Sequence, residues 1–147
     1  MVYIKIIFLD IDGVLNYINS EILDENCLYN LEEIVRQTNA KIVITSTWKQ
    51  FWEHPKLEFH KYKISLVSKL KQHNMEIYDF APNLKRHRTK EVQQWLKEHV
   101  DIESFVVIDD WAFDFKLEMK DNFVQTCWYD KGLEENHRNK AIEILMK

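Results

Sequence analysis

Asp10 and Asp12 stand two residues apart at the end of an apolar run, residues 3–9, that is mostly β-branched or aromatic. In a strand this spacing sends both side chains to one side. Two anions so placed cost free energy unless positive charge lies between them. A divalent cation together with a phosphate is the simplest way to supply it, because hard cations take oxygen ligands. Gly13 follows at once, where a chain leaving a strand sharply needs permissive dihedrals. A lone D-x-D-G also describes a strand that simply ends in a polar turn, so the rest of the chain must discriminate.

The other parts of a phosphoryl-transfer site occur in three further places. Thr45 and Ser46 end the apolar run 41–44, and Asp109 and Asp110 end the run 105–108. The most basic stretch, residues 85–90, carries Arg88 and Lys90 into a helical pattern, and free backbone N–H groups at a helix start favour an anion. Charge then divides the labour. One carboxylate must attack phosphorus to give an aspartyl-phosphate, and Asp10, deepest at the strand end, is the candidate. Asp12 can protonate the leaving oxygen and later take a proton from water. Mg²⁺ would bridge Asp10, a backbone carbonyl near Asp12 and a carboxylate of the Asp109–Asp110 pair, offsetting repulsion between nucleophile and phosphate. Thr45 or Ser46 would donate to a phosphoryl oxygen, and Arg88 or Lys90 would neutralise transition-state charge. Without the cations the carboxylates would raise one another's pKa values and the nucleophile would be lost.

Hydrophobic periodicity locates the elements that must bring these parts together. The near-continuous apolar run before Asp10 reads as a strand buried on both faces. Residues 14–27 read as a loop or small hairpin over its end. Leu28, Leu31, Ile34 and Val35 predict a helix over about 27–38, with Asn39 as its stop. A strand over 41–46, a break at His54-Pro55 and a helix over about 57–73 follow. Residues 76–80 predict a weaker strand. Val92, Trp95, Leu96, His99 and Val100 mark another helical stripe, followed by strands over 105–110 and 122–127 and a closing helix over 134–146. Strands alternating with helices predict one doubly wound, mainly parallel sheet, which binds ligands at the carboxyl ends of its strands.

Bulk composition narrows the function classes. The chain has 147 residues, enough for a single domain over 1–147. A 46% hydrophobic and 30% charged content is that of a soluble globular protein, and a net charge of −4 argues against a general polyanion binder. Gly13 and Gly132 are the two glycines, too few and too far apart for a P-loop, a G-x-G-x-x-G or a nucleophile elbow. The six histidines are scattered without zinc-site spacing. No apolar run approaches the roughly 20 residues of a membrane span. Cys27 and Cys127 belong to no C-x-x-C and read as reduced core residues, which, with no signal peptide, fits a cytoplasmic protein.

In order, FLDIDGVLN, IVITSTWK, R-T-K-E-V-Q-Q-W-L and VVIDDW resemble the haloacid dehalogenase (HAD) superfamily of phosphatases, from Phe8 to Asp114. Within it they resemble the small HAD domains of Swiss Army Knife RNA-repair proteins and, more distantly, the phosphatase half of polynucleotide kinase-phosphatases. The resemblance implies a sheet of order 5-4-1-2-3. Asp12 occupies a position that dehalogenating relatives lack and transport ATPases fill with Thr, which implies a phosphatase or phosphotransferase. Family spacing favours Arg88 over Lys90 as the cation, although Thr89 stands where a small Gly is usual. It favours Thr45 over Ser46, and Asp110 over Asp109 for the metal.

Capped members of the superfamily insert a domain after the first or second motif. Here about 30 residues separate Asp12 from Thr45 and about 40 separate Ser46 from Arg88, all consumed by helices that recross the sheet at ~1.5 Å per residue and by a strand. The expectation is a capless, open site suited to a phosphate on a large molecule, such as an RNA or DNA end. A small-molecule or nucleotide phosphatase of the same mechanism is the rival, and a non-catalytic phosphate-binding or signalling module is the alternative of another class. Trp111, Lys49 and Arg86 are candidate substrate contacts, each weighed against plain packing or a solvated helix start. Trp48, Phe51, Trp52 and Trp95 read foremost as packing. Asp114 has two equal readings, orienting the basic residue or helping with the metal on one side, and a plain surface Asp on the other. Oligomeric state is left open.

Overall fold

The first apolar run forms β1 (Ile4–Leu9), the middle strand of a five-stranded sheet in a computed structural model that describes residues 2–53, 56–85 and 87–147. It pairs in parallel with β2 (Lys41–Ile44) on one side and β4 (Ile102–Asp109) on the other. The edges are β3 (Ile77–Phe80) and β5 (Phe123–Gln125), also parallel, giving the order β3-β2-β1-β4-β5. Read from the other edge this is the expected 5-4-1-2-3. There is no separate cap domain among the described residues.

Side-chain alternation along β1 builds two cores. Ile7 and Leu9 pack on the face covered by α1 (Glu25–Thr38), α2 (Leu57–Gln72) and α5 (Glu135–Leu145), through Leu31, Leu66 and Leu145. Ile6 and Phe8 pack on the opposite face, against Val92 and Trp95 of α3 (Arg88–Glu98) and Phe115 of α4 (Phe115–Glu118). Every side chain of residues 6–9 is fully buried, each contributing roughly 1.5–3 kcal/mol. This explains why the run is apolar without alternation and holds its far end rigid.

The helix ends follow local chemistry. Asp24 caps α1 by accepting from Cys27 N at 3.0 Å, so α1 starts ahead of its apolar stripe. Asn39 ends it in the left-handed region, φ 59°. Elsewhere the structure departs from the expectations. Strand β2 stops at Ile44, because Ser46 accepts from Trp48 N at 3.1 Å and starts a 3-10 helix, Thr47–Trp52. Residues 14–24 form turns, the loop of the two expected readings, with α1 starting at Glu25, and α4 lies between the fourth and fifth strands, where no helix is expected. Cys27 is buried but Cys127 is exposed, a correction to reading both as core. Trp48 is buried and packs edge-on against Phe51 and Tyr62, at centroid distances of 5.6 and 5.5 Å. The expected break at His54-Pro55 lies outside the described residues.

Candidate active site

Leu9 is the last residue of β1, and Asp10 stands just beyond it, its N–H donating to Ile108 O at 3.1 Å. The spacing argument for Asp12 therefore does not hold. Residues 12–15 turn tightly, Val14 N and Leu15 N both donating to Ile11 O at 3.0 and 2.8 Å. Asp10 is buried at 4% exposure whereas Asp12 is exposed. Asn16 fixes the turn: its Oδ1 accepts from Gly13 N at 2.9 Å, and its Nδ2 donates to Asp12 Oδ1 and Ile22 O, both at 3.0 Å. Asn16 thus holds Asp12, while Oδ2 of Asp12 takes no part in that bond.

The end of β4 supplies the opposing acids. Asp109 is 1% exposed and Asp110 is half-buried. One carboxylate oxygen each from Asp10, Asp109 and Asp110 can be chosen so that all lie within 4.8 Å of one another. Gly13 makes this possible. Its φ is +84°, and a Cβ there would fall 2.3 Å from Asp110 Oδ2. Just after β5, Thr126 Oγ1 donates to Gly13 O at 2.6 Å and Thr126 N to Asp109 O at 3.0 Å, fastening the turn to β4.

Among the described residues, a single guanidinium enters the cluster. Arg88, at the start of α3 and 8% exposed, places Nη1 at 2.8 Å from Asp109 Oδ2 and 3.3 Å from Asp10 Oδ1. Trp111 N donates to Asp109 Oδ1 at 3.0 Å. Burial, reinforced by Asp109, lifts the Asp10 carboxyl well above its ordinary range, against the pull of Arg88. Burial likewise pushes Asp109 up to about 6. Burial lowers and the two aspartates raise the Arg88 pKa; the aspartates prevail, so it stays charged. One cation facing three carboxylates leaves the cluster two positive charges short. An all-oxygen donor set with that deficit fits a hard divalent ion such as Mg²⁺.

Thr45 and Thr89 complete the surroundings. Thr45 follows β2, its N–H bonded to Leu9 O at 2.9 Å, and its hydroxyl is buried without a hydrogen-bond partner. The Thr89 hydroxyl, beside Arg88, is buried and equally unpartnered. Such orphaned groups cost free energy until a ligand meets them. Ser46, by contrast, is spent as a cap. Lys90 is exposed. Lys49 is engaged by Glu91 Oε1 at 2.9 Å and by Pro82 O at 3.1 Å, so it ties the 81–84 segment to α3. Trp111 is 65% exposed, Asp114 is exposed ahead of α4, and Arg86 lies outside the described residues. Asn16 and Thr126 escaped the sequence reading, which met Thr89 only as a replacement for the usual Gly. Only Asn16 left a signal, as a polar residue closing the D-x-D-G-V-L-N run.

The chain belongs to the family of HAD domains found in Swiss Army Knife RNA repair proteins, whose model matches residues 6–138. That family places it among HAD-type phosphatases, and the aspartate cluster fits a metal site. No curated protein and no solved structure gives a significant match. No helix among the described residues is long and apolar enough to cross a membrane.

Proposed function

We propose that this domain is a Mg²⁺-dependent phosphomonoesterase that works through an aspartyl-phosphate on Asp10, with an RNA or DNA terminal phosphate as substrate. The observation that carries the reading is the meeting of Asp10, Asp109 and Asp110 within 4.8 Å, beside the guanidinium of Arg88 that bonds the first two. Asp10 and Asp110, with Asp109 behind them, would hold the ion. Bound there, Mg²⁺ supplies positive charge that keeps Asp10 ionised beside an anionic phosphate.

Asp10 Oδ attacks phosphorus and the ester P–O bond breaks. Asp12 gives its proton to the leaving oxygen, from a turn that Asn16 holds in register. The now ionised Asp12 takes a proton from water. That water attacks the phosphorus, releasing phosphate and restoring Asp10. The Thr45 hydroxyl donates to a phosphoryl oxygen, and Arg88 balances charge on the transferring group while its link to Asp109 fixes its direction. The open site without a cap supports a bulky substrate.

Hydrolysis of a panel containing 3′- and 5′-phosphorylated oligonucleotides, mononucleotides and sugar phosphates, with Mg²⁺ and with EDTA, tests the proposal. The expected result is Mg²⁺-dependent release of phosphate with oligonucleotide ends preferred. Preference for free mononucleotides or sugar phosphates by orders of magnitude overturns the substrate reading. A folded, Mg²⁺-loaded protein that forms no beryllium fluoride adduct on Asp10 overturns the mechanism.

A further inference from the structure

A cleft of about 430 Å³ opens directly beside Asp110, between the end of β4, the loop after β5 and the start of α5. That size lies inside the roughly 300–1,000 Å³ range of small-ligand sites. The mechanism above uses none of its walls apart from Asp110. Two of them are the indoles of Trp111 and Trp128, and a third is the phenol of Tyr129. Trp111 is 65% exposed and Tyr129 80% exposed, an unusual expenditure of large rings on solvent. The polar walls, besides Asp110, are Gln125, Thr126, Asp130, Glu134, Asn136 and His137, and among the described residues no Lys or Arg lines the space.

The lining sets the chemistry of what fits. Asp130 and Glu134, the two carboxylates that the ion would not neutralise, repel a phosphodiester or a second phosphate. The rings offer π-faces to a flat group. The acids and the amide accept hydrogen bonds from ring N–H or exocyclic amino groups. The suited occupant is a planar, uncharged, N–H-bearing heterocycle on the group that leaves when phosphorus is captured at Asp10.

We infer that this cleft is the leaving-group subsite and takes the nucleobase of the terminal nucleotide that carries the phosphate, the remaining strand running away from the acidic wall. Lys85 lies exposed just before α3 and Lys90 lies exposed in its first turn, two residues beyond Arg88, which reaches Asp10, whereas the β5 side of the site is acidic and aromatic. A strand whose first base sits among the rings can pass its next phosphodiesters toward those lysines. This inference rests on the phosphatase reading and narrows its substrate.

The test compares the full chain with Trp128→Ala and Tyr129→Ala on matched substrates: an oligonucleotide bearing a terminal phosphate, the same oligonucleotide with an abasic terminal residue, and the free mononucleotide. Each variant is expected to lower kcat/KM on the base-bearing oligonucleotide roughly 5- to 100-fold, the range that base–aromatic stacking supplies, and to leave the abasic one unchanged. Equal loss on both oligonucleotides, no loss on either, or a base-dependent loss confined to the mononucleotide overturns the inference. The same three ligands, fluorescently labelled, are bound to Asp10→Asn protein by anisotropy. If the wild type turns nothing over, the phosphatase reading fails on its own. Base-selective weakening by the two alanine variants then still supports the subsite, and uniform binding to base-bearing and abasic ends overturns it.

Discussion

Two charge clusters of related composition lie in this molecule, and burial sets them apart. On the surface between α1 and α2, His73 stands between Glu32 and Glu25, with Nδ1 and Nε2 each 2.8 Å from a carboxylate oxygen, and Lys69 meets Glu25 at 2.6 Å. With His73 protonated, two cations balance two anions. Hydrogen bonds from Lys69 first, then His73, hold the Glu25 carboxyl below its usual range. In the other cluster Arg88 is the one cation among the described residues that meets Asp10 and Asp109, with Asp110 beside them, and there burial drives the Asp10 and Asp109 carboxyls upward. The surface cluster is complete as folded. The buried one is assembled at a cost and left short of charge, which is how a site differs from a clip.

The comparison is broken most directly at Asp10. Asp10→Asn is expected to reduce turnover by roughly 10³-fold or more, as loss of a nucleophile does. It also removes an anion from an under-neutralised cluster, so the metal-free protein should gain about 1 kcal/mol in urea unfolding. Glu32→Gln, the matching change at the surface, should lose a few tenths of a kcal/mol. If Asp10→Asn weakens the metal-free fold, the cluster is not frustrated and the contrast fails. Arg88→Gln acts in the opposite sense. It strands two buried aspartates and should cost roughly 3–5 kcal/mol, read in the same unfolding experiment.

Smaller changes sharpen the picture by separating ion loading from proton transfer. Gly13→Ala puts a methyl where Asp110 lies and forces a side chain into φ +84°. The Mg²⁺ concentration needed for half-maximal thermal stabilisation should rise roughly 10- to 100-fold. An unchanged midpoint would show that Asp110 has another way to reach the ion. Asn16→Ala leaves the ion's carboxylates in place but frees Asp12. Turnover should fall roughly tenfold with the Mg²⁺ midpoint unmoved, and a shifted midpoint would assign Asn16 to the ion instead.

The strand ends carrying Asp10, Thr45 and Asp109 are legible in the sequence because parallel strands buried on both faces leave an apolar run that stops where solvent or ligand begins. The helices are legible because one face of each must cover the sheet. What fails is the step from strand spacing to Asp12, since periodicity ends with the strand and Leu9 is the last strand residue. Lys49 is equally opaque. Its partner Glu91 lies 42 residues further on and meets it only through the fold. Thr126 helps hold the site through a backbone carbonyl at Gly13, a bond that leaves no motif.

An effect that depends on pH tests the surface side of the comparison. Burial alone would lower the His73 pKa, but the hydrogen bonds to Glu25 and Glu32 outweigh it and raise the pKa above its ordinary 6.5. With both ring nitrogens facing carboxylates, the ring must carry both protons to satisfy them. A cation held more strongly in the folded state stabilises fully below about pH 6.5, and the contribution fades as pH rises through the raised value. His73→Gln should therefore lose up to about 1 kcal/mol at pH 6 and almost nothing at pH 9, since Glu25 is largely solvated. Thermal melts of both proteins across that range check it. A penalty that stays constant with pH would mean that His73 contributes packing rather than charge, and the surface cluster would no longer be the neutral counterpart of the buried one.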